Sequence, residues 1–89
     1  MQISEFQQHI RDKYLKRDAE RGTPATFMWF MEEVGELATA LQDIDHANRE
    51  EEFADVMAWL FTLANINGVD MEKALQIKYF KDGGPKGYK

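Results

Sequence analysis

The spacing of apolar residues along the chain predicts helices and no strands. Strict alternation of apolar and polar residues is absent, whereas apolar residues recur at intervals of three and four. Ile3, Phe6, Ile10 and Tyr14 fall on one face of a first helix, which Ser4 caps and Gly22 ends. Thr23-Pro24 then marks the start of a second helix, which runs to about Ile44.

Two further helices follow a short polar connection. The third is predicted from about Asn48 to Asn67-Gly68, a typical carboxy-terminal cap signal. Asp70 caps a fourth, shorter helix, and Asp82 ends regular structure. We therefore predict an all-α fold, with residues 1–82 as a single domain and residues 83–89 as a flexible carboxy-terminal tail.

Composition adds an expectation about assembly. The chain has 89 residues, of which 44% are hydrophobic, including two Trp, six Phe and five Met. One small helical core does not easily cover so much large apolar surface. Part of this surface is therefore predicted to pack against another copy of the chain.

Charge, cysteine content and hydropathy exclude several classes of function. No cysteine is present, so disulfides and thiolate metal sites are excluded. The net charge of -5 argues against a nucleic-acid partner, and no apolar run approaches the length of a membrane span. We see no signal peptide at the amino end, so the expected location is the cytoplasm.

The candidate chemistry lies in acidic residues that recur on the second and third helices. At 100° per residue, Glu33 and Glu36 share a sector of roughly 60° with Trp29. Glu52 and Asp55 share a similar sector with Trp59 on the third helix. Because a short connection favours antiparallel packing, the two acid pairs can face one cavity.

Facing carboxylates repel one another unless a cation compensates their charge. An all-oxygen ligand set suits Mg²⁺, with Mn²⁺ as a possible substitute, and Mg²⁺ commonly also holds substrate phosphates. The alternative is that these acids are ordinary solvated surface, since most helical Glu residues are. That alternative explains Glu50, Glu51 and in part Glu52, near the start of a helix, better than Glu33 and Glu36, about three turns into theirs.

At these residues the sequence resembles the MazG-like nucleotide pyrophosphohydrolases, of the all-alpha NTP pyrophosphatase superfamily. Their paired motifs, EExxE and ExxD, match Glu32-Glu33-Val34-Gly35-Glu36 and Glu52-Phe53-Ala54-Asp55. Fifteen residues separate Glu36 from Glu52. The resemblance extends over residues 24–81 and implies a four-helix-bundle-like MazG fold. It also implies that the second and third helices form half of a bundle whose core a second copy completes, in a homodimer or homotetramer. Either motif alone is weak, but both together with the helix that follows are a specific signal.

The resemblance implies a reaction and assigns residues to it. A nucleoside triphosphate, ribo or deoxyribo, is hydrolysed between its α and β phosphates to a monophosphate and pyrophosphate, with Mg²⁺ as cofactor. Glu33, Glu36, Glu52 and Asp55 match the metal-binding positions. Glu32, Glu33 and Glu36 are the candidate catalytic acids, although Glu32 points away from the others on the wheel. We expect one acid to accept a proton from the water that attacks the α-phosphorus.

Five further residues are candidates for substrate binding. Lys73 and Lys78 fall where related proteins contact phosphates, although each is equally an ordinary solvated lysine. Asn65 is placed to hydrogen-bond a ligand or to help end its helix. Trp29 and Trp59 are candidates to stack on a base, or they fill an interface.

Two other functions fit parts of the pattern. A non-catalytic helical oligomer with an acidic patch explains the charge, but not the matched position of acids on two helices. A redox metal site in a helical bundle normally uses Glu-x-x-His motifs, and neither acidic motif here contains a histidine. We therefore favour the pyrophosphohydrolase.

Overall fold

Four α-helices make up the described part of the chain. The computed structural model describes residues 1–84, and it contains no strand there. The helices are α1 (Ile3–Arg21), α2 (Thr23–Ala40), α3 (His46–Ile66) and α4 (Met71–Tyr79), and a short 3-10 turn follows at Lys81–Gly83. The predicted all-α fold is confirmed. No helix among residues 1–84 has the length and apolar character that a membrane crossing requires.

The boundaries between helices follow local capping chemistry. Gly22 separates α1 from α2 with a φ of 80°, a conformation that glycine adopts at low cost. The Asp45 side chain accepts a hydrogen bond from Asn48 N at 3.1 Å, and the Asp70 side chain accepts one from Lys73 N at 3.0 Å. These two aspartates satisfy free N–H groups at the first turns of α3 and α4.

Three predicted boundaries differ from the structure. Gln2 rather than Ser4 is the cap of α1, and Glu5 accepts a hydrogen bond from the Gln2 backbone N–H at 3.3 Å. Helix α2 ends at Ala40 instead of about Ile44, and α3 begins at His46 instead of about Asn48. At the end of α2, Asp43 N donates to the Ala40 carbonyl at 3.1 Å in a tighter turn, and Ile44 N donates to the Asp43 side chain instead of continuing the helix. Arg49 Nε also donates to the Ala40 carbonyl at 3.3 Å.

Helix α3 lies at the centre and packs against both α1 and α2. Its Phe61 ring meets Phe6 of α1 edge-on, with ring centroids 5.2 Å apart. Fully buried apolar side chains are few among the described residues: Ile10, Ala40, Phe61 and Ala64. The core of one chain therefore lies mainly where α1 crosses α3.

Many large apolar side chains remain exposed on α2 and α3. Phe27 and Met28 of α2 are 50% and 74% exposed, and Phe53 of α3 is 55% exposed. Phe53, Met57 and Leu60 are spaced by four and three residues, so they form one stripe along α3. We predict that a second copy of the chain covers this apolar surface, and this stays a prediction.

The predicted domain limits also stay predictions. Within the predicted tail, the Gly84 N–H donates to the Lys81 carbonyl at 3.0 Å and closes the 3-10 turn. Residues 85–89 of that tail lie outside the described residues.

Candidate metal centre

Helices α2 and α3 form a hairpin that carries the predicted acids. Trp29 stacks on Trp59 with ring centroids 6.4 Å apart and planes 21° apart. Further along α2, Glu33 lies beside Glu52, which precedes Trp59 on α3. The order of the contacts along α3 is thus reversed relative to α2, so the two helices run antiparallel. This is the arrangement that the short connection predicts.

Three carboxylates converge across this hairpin. Glu33, Glu36 and Glu52 each offer an oxygen, and these oxygens all lie within 4.8 Å of one another. Glu33 and Glu36 are three residues apart on α2, which places them on one face of the helix. The structure therefore brings acids from both predicted motifs into one cluster.

Burial and mutual repulsion both raise the pKa values of acids in this cluster. Burial, followed by the charges of Glu36, Asp55 and Glu52, raises the pKa of Glu33 to about 7. Burial and the neighbouring charges of Glu36 and Asp55 also raise the pKa of Glu52. A bound cation would oppose both effects, because it favours the charged form of each carboxylate. The raised pKa values therefore reflect burial first and the proximity of like charges second.

Two oxygens of the cluster have no hydrogen-bond donor. Glu33 Oε2 and Glu52 Oε2 are shielded from solvent, and neither has a partner among residues 1–84. Buried carboxylate oxygens in native proteins are normally paired with donors or bind metals. Oxygen ligands from carboxylates are the type that Mg²⁺ and Mn²⁺ prefer. These residues fit a divalent cation on their own geometry.

Asp55 and Glu32 stand apart from the three converging carboxylates. Asp55 lies close enough for its charge to raise the pKa of Glu33, but its oxygens fall outside the 4.8 Å cluster. It lines a cavity between α1 and α3 instead. Glu32 is exposed and also lies outside the cluster, as its wheel position predicts.

Comparison with known proteins identifies the fold that holds this cluster. The family described as the MazG nucleotide pyrophosphohydrolase domain matches residues 21–81, which include α2, α3 and α4. The chain belongs to the MazG family. No curated protein matches it at a significant level. The match contains the whole acidic cluster, so the carboxylates of this MazG domain lie inside the part that defines the family.

The two tryptophans of the MazG domain lie on the same hairpin as the acids. Trp29 is 49% exposed, whereas Trp59 is partly buried. The Arg21 guanidinium carbon lies 5.0 Å from the centroid of the Trp59 ring, so α1 also contacts this aromatic pair. Trp59 lines the same cavity as Asp55. An aromatic surface therefore lies beside the acidic cluster.

Asn65 is buried and engaged by α1. Its Oδ1 accepts from Gln7 Nε2 at 2.9 Å, and its Nδ2 donates to the Gln7 carbonyl at 3.3 Å. Gln7 also donates to Val69 O at 2.7 Å in the loop before α4 and accepts from Met71 N at 2.9 Å at the first residue of that helix. Through Gln7, Asn65 of α3 is therefore connected to α1 and to the start of α4.

Lys73 and Lys78 are exposed on α4. That helix packs mainly against α1, whereas the acidic cluster lies between α2 and α3. Within one chain the structure therefore does not bring the two lysines into the cluster.

Sequence reasoning missed two residues of α1 that adjoin the site. Asp18 is 4% exposed, and Arg21 Nη1 donates to its Oδ1 at 3.2 Å. A signal was present, since Asp18 continues the spacing of Ile10 and Tyr14 by four residues. A charged residue on a buried helical stripe indicates either a buried ion pair or a functional group.

Proposed function

We propose that this MazG domain is a Mg²⁺-dependent nucleoside triphosphate pyrophosphohydrolase. It converts a ribo- or deoxyribonucleoside triphosphate and water into the monophosphate and pyrophosphate. The observation that carries the proposal is the convergence of Glu33, Glu36 and Glu52 within 4.8 Å, with two shielded and unpaired oxygens. The family match supplies the reaction class that this cluster would serve.

The acids divide into ligands and proton acceptors in this proposal. Glu33, Glu36 and Glu52 hold Mg²⁺, or Mn²⁺ as a substitute, and Asp55 completes the set from the adjoining cavity. The cation supplies positive charge to the triphosphate. One acid among Glu32, Glu33 and Glu36 orients a water and accepts its proton. The water oxygen bonds to the α-phosphorus, the bond from that phosphorus to the bridging oxygen breaks, and pyrophosphate leaves.

The remaining predicted residues are proposed to hold the substrate. Trp29 and Trp59 form the aromatic surface nearest the acids and are the proposed contacts for the base. Lys73 and Lys78 are the proposed phosphate contacts, reached through α4 of this chain or of a second copy. A ligand role for Asn65 requires that it exchange its hydrogen bonds with Gln7 for bonds to the substrate.

Pyrophosphate release tests the reaction. Ribo- and deoxyribonucleoside triphosphates are supplied with Mg²⁺ to the wild type, to Glu36→Gln and to Glu51→Gln. Glu51 is an exposed acid of the same helical hairpin outside the cluster, so it is a matched control. We expect monophosphate and pyrophosphate from the wild type and the control, and none from Glu36→Gln. Equal release from all three proteins would refute the assignment.

We also propose that the protein is a homodimer or homotetramer. Exposed apolar residues on α2 and α3, among them Met28 and Phe53, supply the surface that a second copy would cover. Light scattering after size-exclusion chromatography is expected to give at least twice the chain mass of 10.4 kDa. Phe53→Lys is expected to lower that mass. A wild type that stays at the mass of one chain would contradict the proposal.

A further inference from the structure

A cavity of about 320 Å³ lies between α1 and α3, beside the acidic cluster. Asp55 and Trp59 line it from α3, and Tyr14, Asp18 and Arg21 line it from α1. Its volume is at the lower end of the range for small-molecule pockets, roughly 300–1,000 Å³. Because Asp55 belongs to the acidic motif, a ligand with phosphates at the acidic cluster could extend its nucleoside into this cavity.

The cavity contains a carboxylate whose hydrogen bonding is incomplete. The Asp18 side chain is only 6% exposed, and its Oδ1 accepts from Arg21 Nη1 at 3.2 Å. Its Oδ2 is shielded from solvent and has no donor among residues 1–84. A buried carboxylate oxygen without a donor is unfavourable, and native structures normally pair it with water, an ion or a ligand.

Arg21 is held in place and leaves that second oxygen unpaired. The Nη1 group that donates to Asp18 also lies 3.4 Å from Thr26 Oγ1, and the guanidinium lies over the Trp59 ring. Thr26 is fully buried, so the Arg21 head group is anchored on protein at several points. Asp18 Oδ2 therefore keeps an unused capacity to accept a hydrogen bond, and a molecule in the cavity can donate to it after a small shift of the Asp18 side chain.

We propose that this cavity binds the nucleobase and that Asp18 selects bases that carry an exocyclic amino group. A carboxylate accepts hydrogen bonds only, so it favours an amino group and opposes a carbonyl oxygen. Cytosine, adenine and guanine carry an exocyclic amino group, whereas uracil and thymine carry only carbonyls outside the ring, with a single N3–H donor between them, so the selection acts at the exocyclic position. Tyr14 and Trp59 supply aromatic walls for the ring. This inference rests on the proposed function for the identity of the ligand.

Cytidine and uridine monophosphates give a matched pair of probes, because their bases differ at the position that carries the amino group or the carbonyl. Their binding is measured by tryptophan fluorescence in Mg²⁺ buffer, for the wild type, Asp18→Asn and Asp12→Asn. Asp12 is exposed on the same helix and accepts only from Gln8 among the hydrogen bonds of the described residues, so it controls for the chemical change. Circular dichroism checks that each variant is folded.

We expect the wild type and Asp12→Asn to bind cytidine monophosphate at least tenfold more tightly than uridine monophosphate. Asp18→Asn is expected to reduce that ratio at least tenfold, because its amide can donate to the uracil carbonyl. Equal binding of the two probes by the wild type would overturn the inference, even if Asp18→Asn fails to fold. An unchanged ratio in folded Asp18→Asn would also overturn it and would leave a water or an adventitious ion as the partner of Asp18.

The two proposals fail separately in these experiments. Pyrophosphate release without base discrimination at Asp18 would leave the reaction standing and refute the base pocket. Discrimination between the two monophosphates without any pyrophosphate release would establish the pocket and refute the reaction.

Discussion

Removal of the half-buried Gln7 side chain should destabilise the fold far more than the loss of a polar residue near the start of a helix usually does. Its amide donates to Asn65 Oδ1 and Val69 O and accepts from Met71 N. Gln7→Ala removes all three hydrogen bonds, each worth about 0.5–1.5 kcal/mol net. Some of the freed groups regain water, so we expect a loss of roughly 2–3 kcal/mol in the free energy of unfolding. For a domain of this size that lowers Tm by roughly 10–20 °C.

Thermal denaturation followed by circular dichroism at 222 nm measures the loss, with Gln8→Ala as the matched control. Gln8 is exposed on the next position of α1, and among residues 1–84 its amide donates only to Asp12 of the same helix. We expect the control to change stability by less than about 0.5 kcal/mol. Similar Tm values for the two variants would refute the reasoning that Gln7 joins α1, α3 and the loop before α4.

Three further predictions address protonation, packing and backbone conformation. The pKa of Glu33 is raised from 4.5 to about 7, so the folded state binds this proton more tightly than the unfolded chain does. The free energy of unfolding without metal should therefore fall as pH rises from 4.5 to about 7. Differential scanning calorimetry in the presence of a chelator should show a shallower fall for Glu33→Gln. Saturating Mg²⁺ should oppose that fall, because the cation binds the deprotonated cluster; an equally steep fall with and without Mg²⁺ would contradict the site. Phe61→Ala should lower the free energy of unfolding, measured with urea, by about 3–5 kcal/mol, since the ring is buried against Phe6. A loss below about 1 kcal/mol would contradict this packing. Gly68→Ala should lower the free energy of unfolding by roughly 1–2 kcal/mol, since Gly68 has a φ of 69°. An unchanged urea midpoint would show that this turn adopts another conformation.

Helix periodicity and capping residues account for most of what the sequence predicts about the fold. Asp70 and Asn67-Gly68 mark real boundaries, because capping depends on residues within one or two turns. The end of α2 was predicted wrongly: a turn at Asp43 replaces the last helical bonds, and Arg49 of the following helix also donates to the Ala40 carbonyl. That contact joins residues nine positions apart, and a pattern of apolar positions does not contain it.

The acidic cluster could be predicted in part for a similar reason. Spacing on each helix places Glu33 beside Glu36, and antiparallel packing brings Glu52 to them. Spacing does not fix how far Asp55 lies from the other three, because that distance depends on the rotation of α3 against α2. Likewise, the bond between Gln7 and Asn65 joins residues 58 positions apart, so only the folded chain shows it.

Binding of Mn²⁺ tests the central claim most directly, because it asks whether the clustered carboxylates hold a divalent cation at all. Electron paramagnetic resonance counts free Mn²⁺ during titration of the wild type, Glu52→Gln and the Glu51→Gln control. We expect saturable binding in the wild type and the control that Mg²⁺ displaces, and a loss of affinity of at least tenfold in Glu52→Gln. Weak, salt-sensitive binding that is the same in all three proteins would contradict the account and would leave the acidic residues as ordinary surface charge.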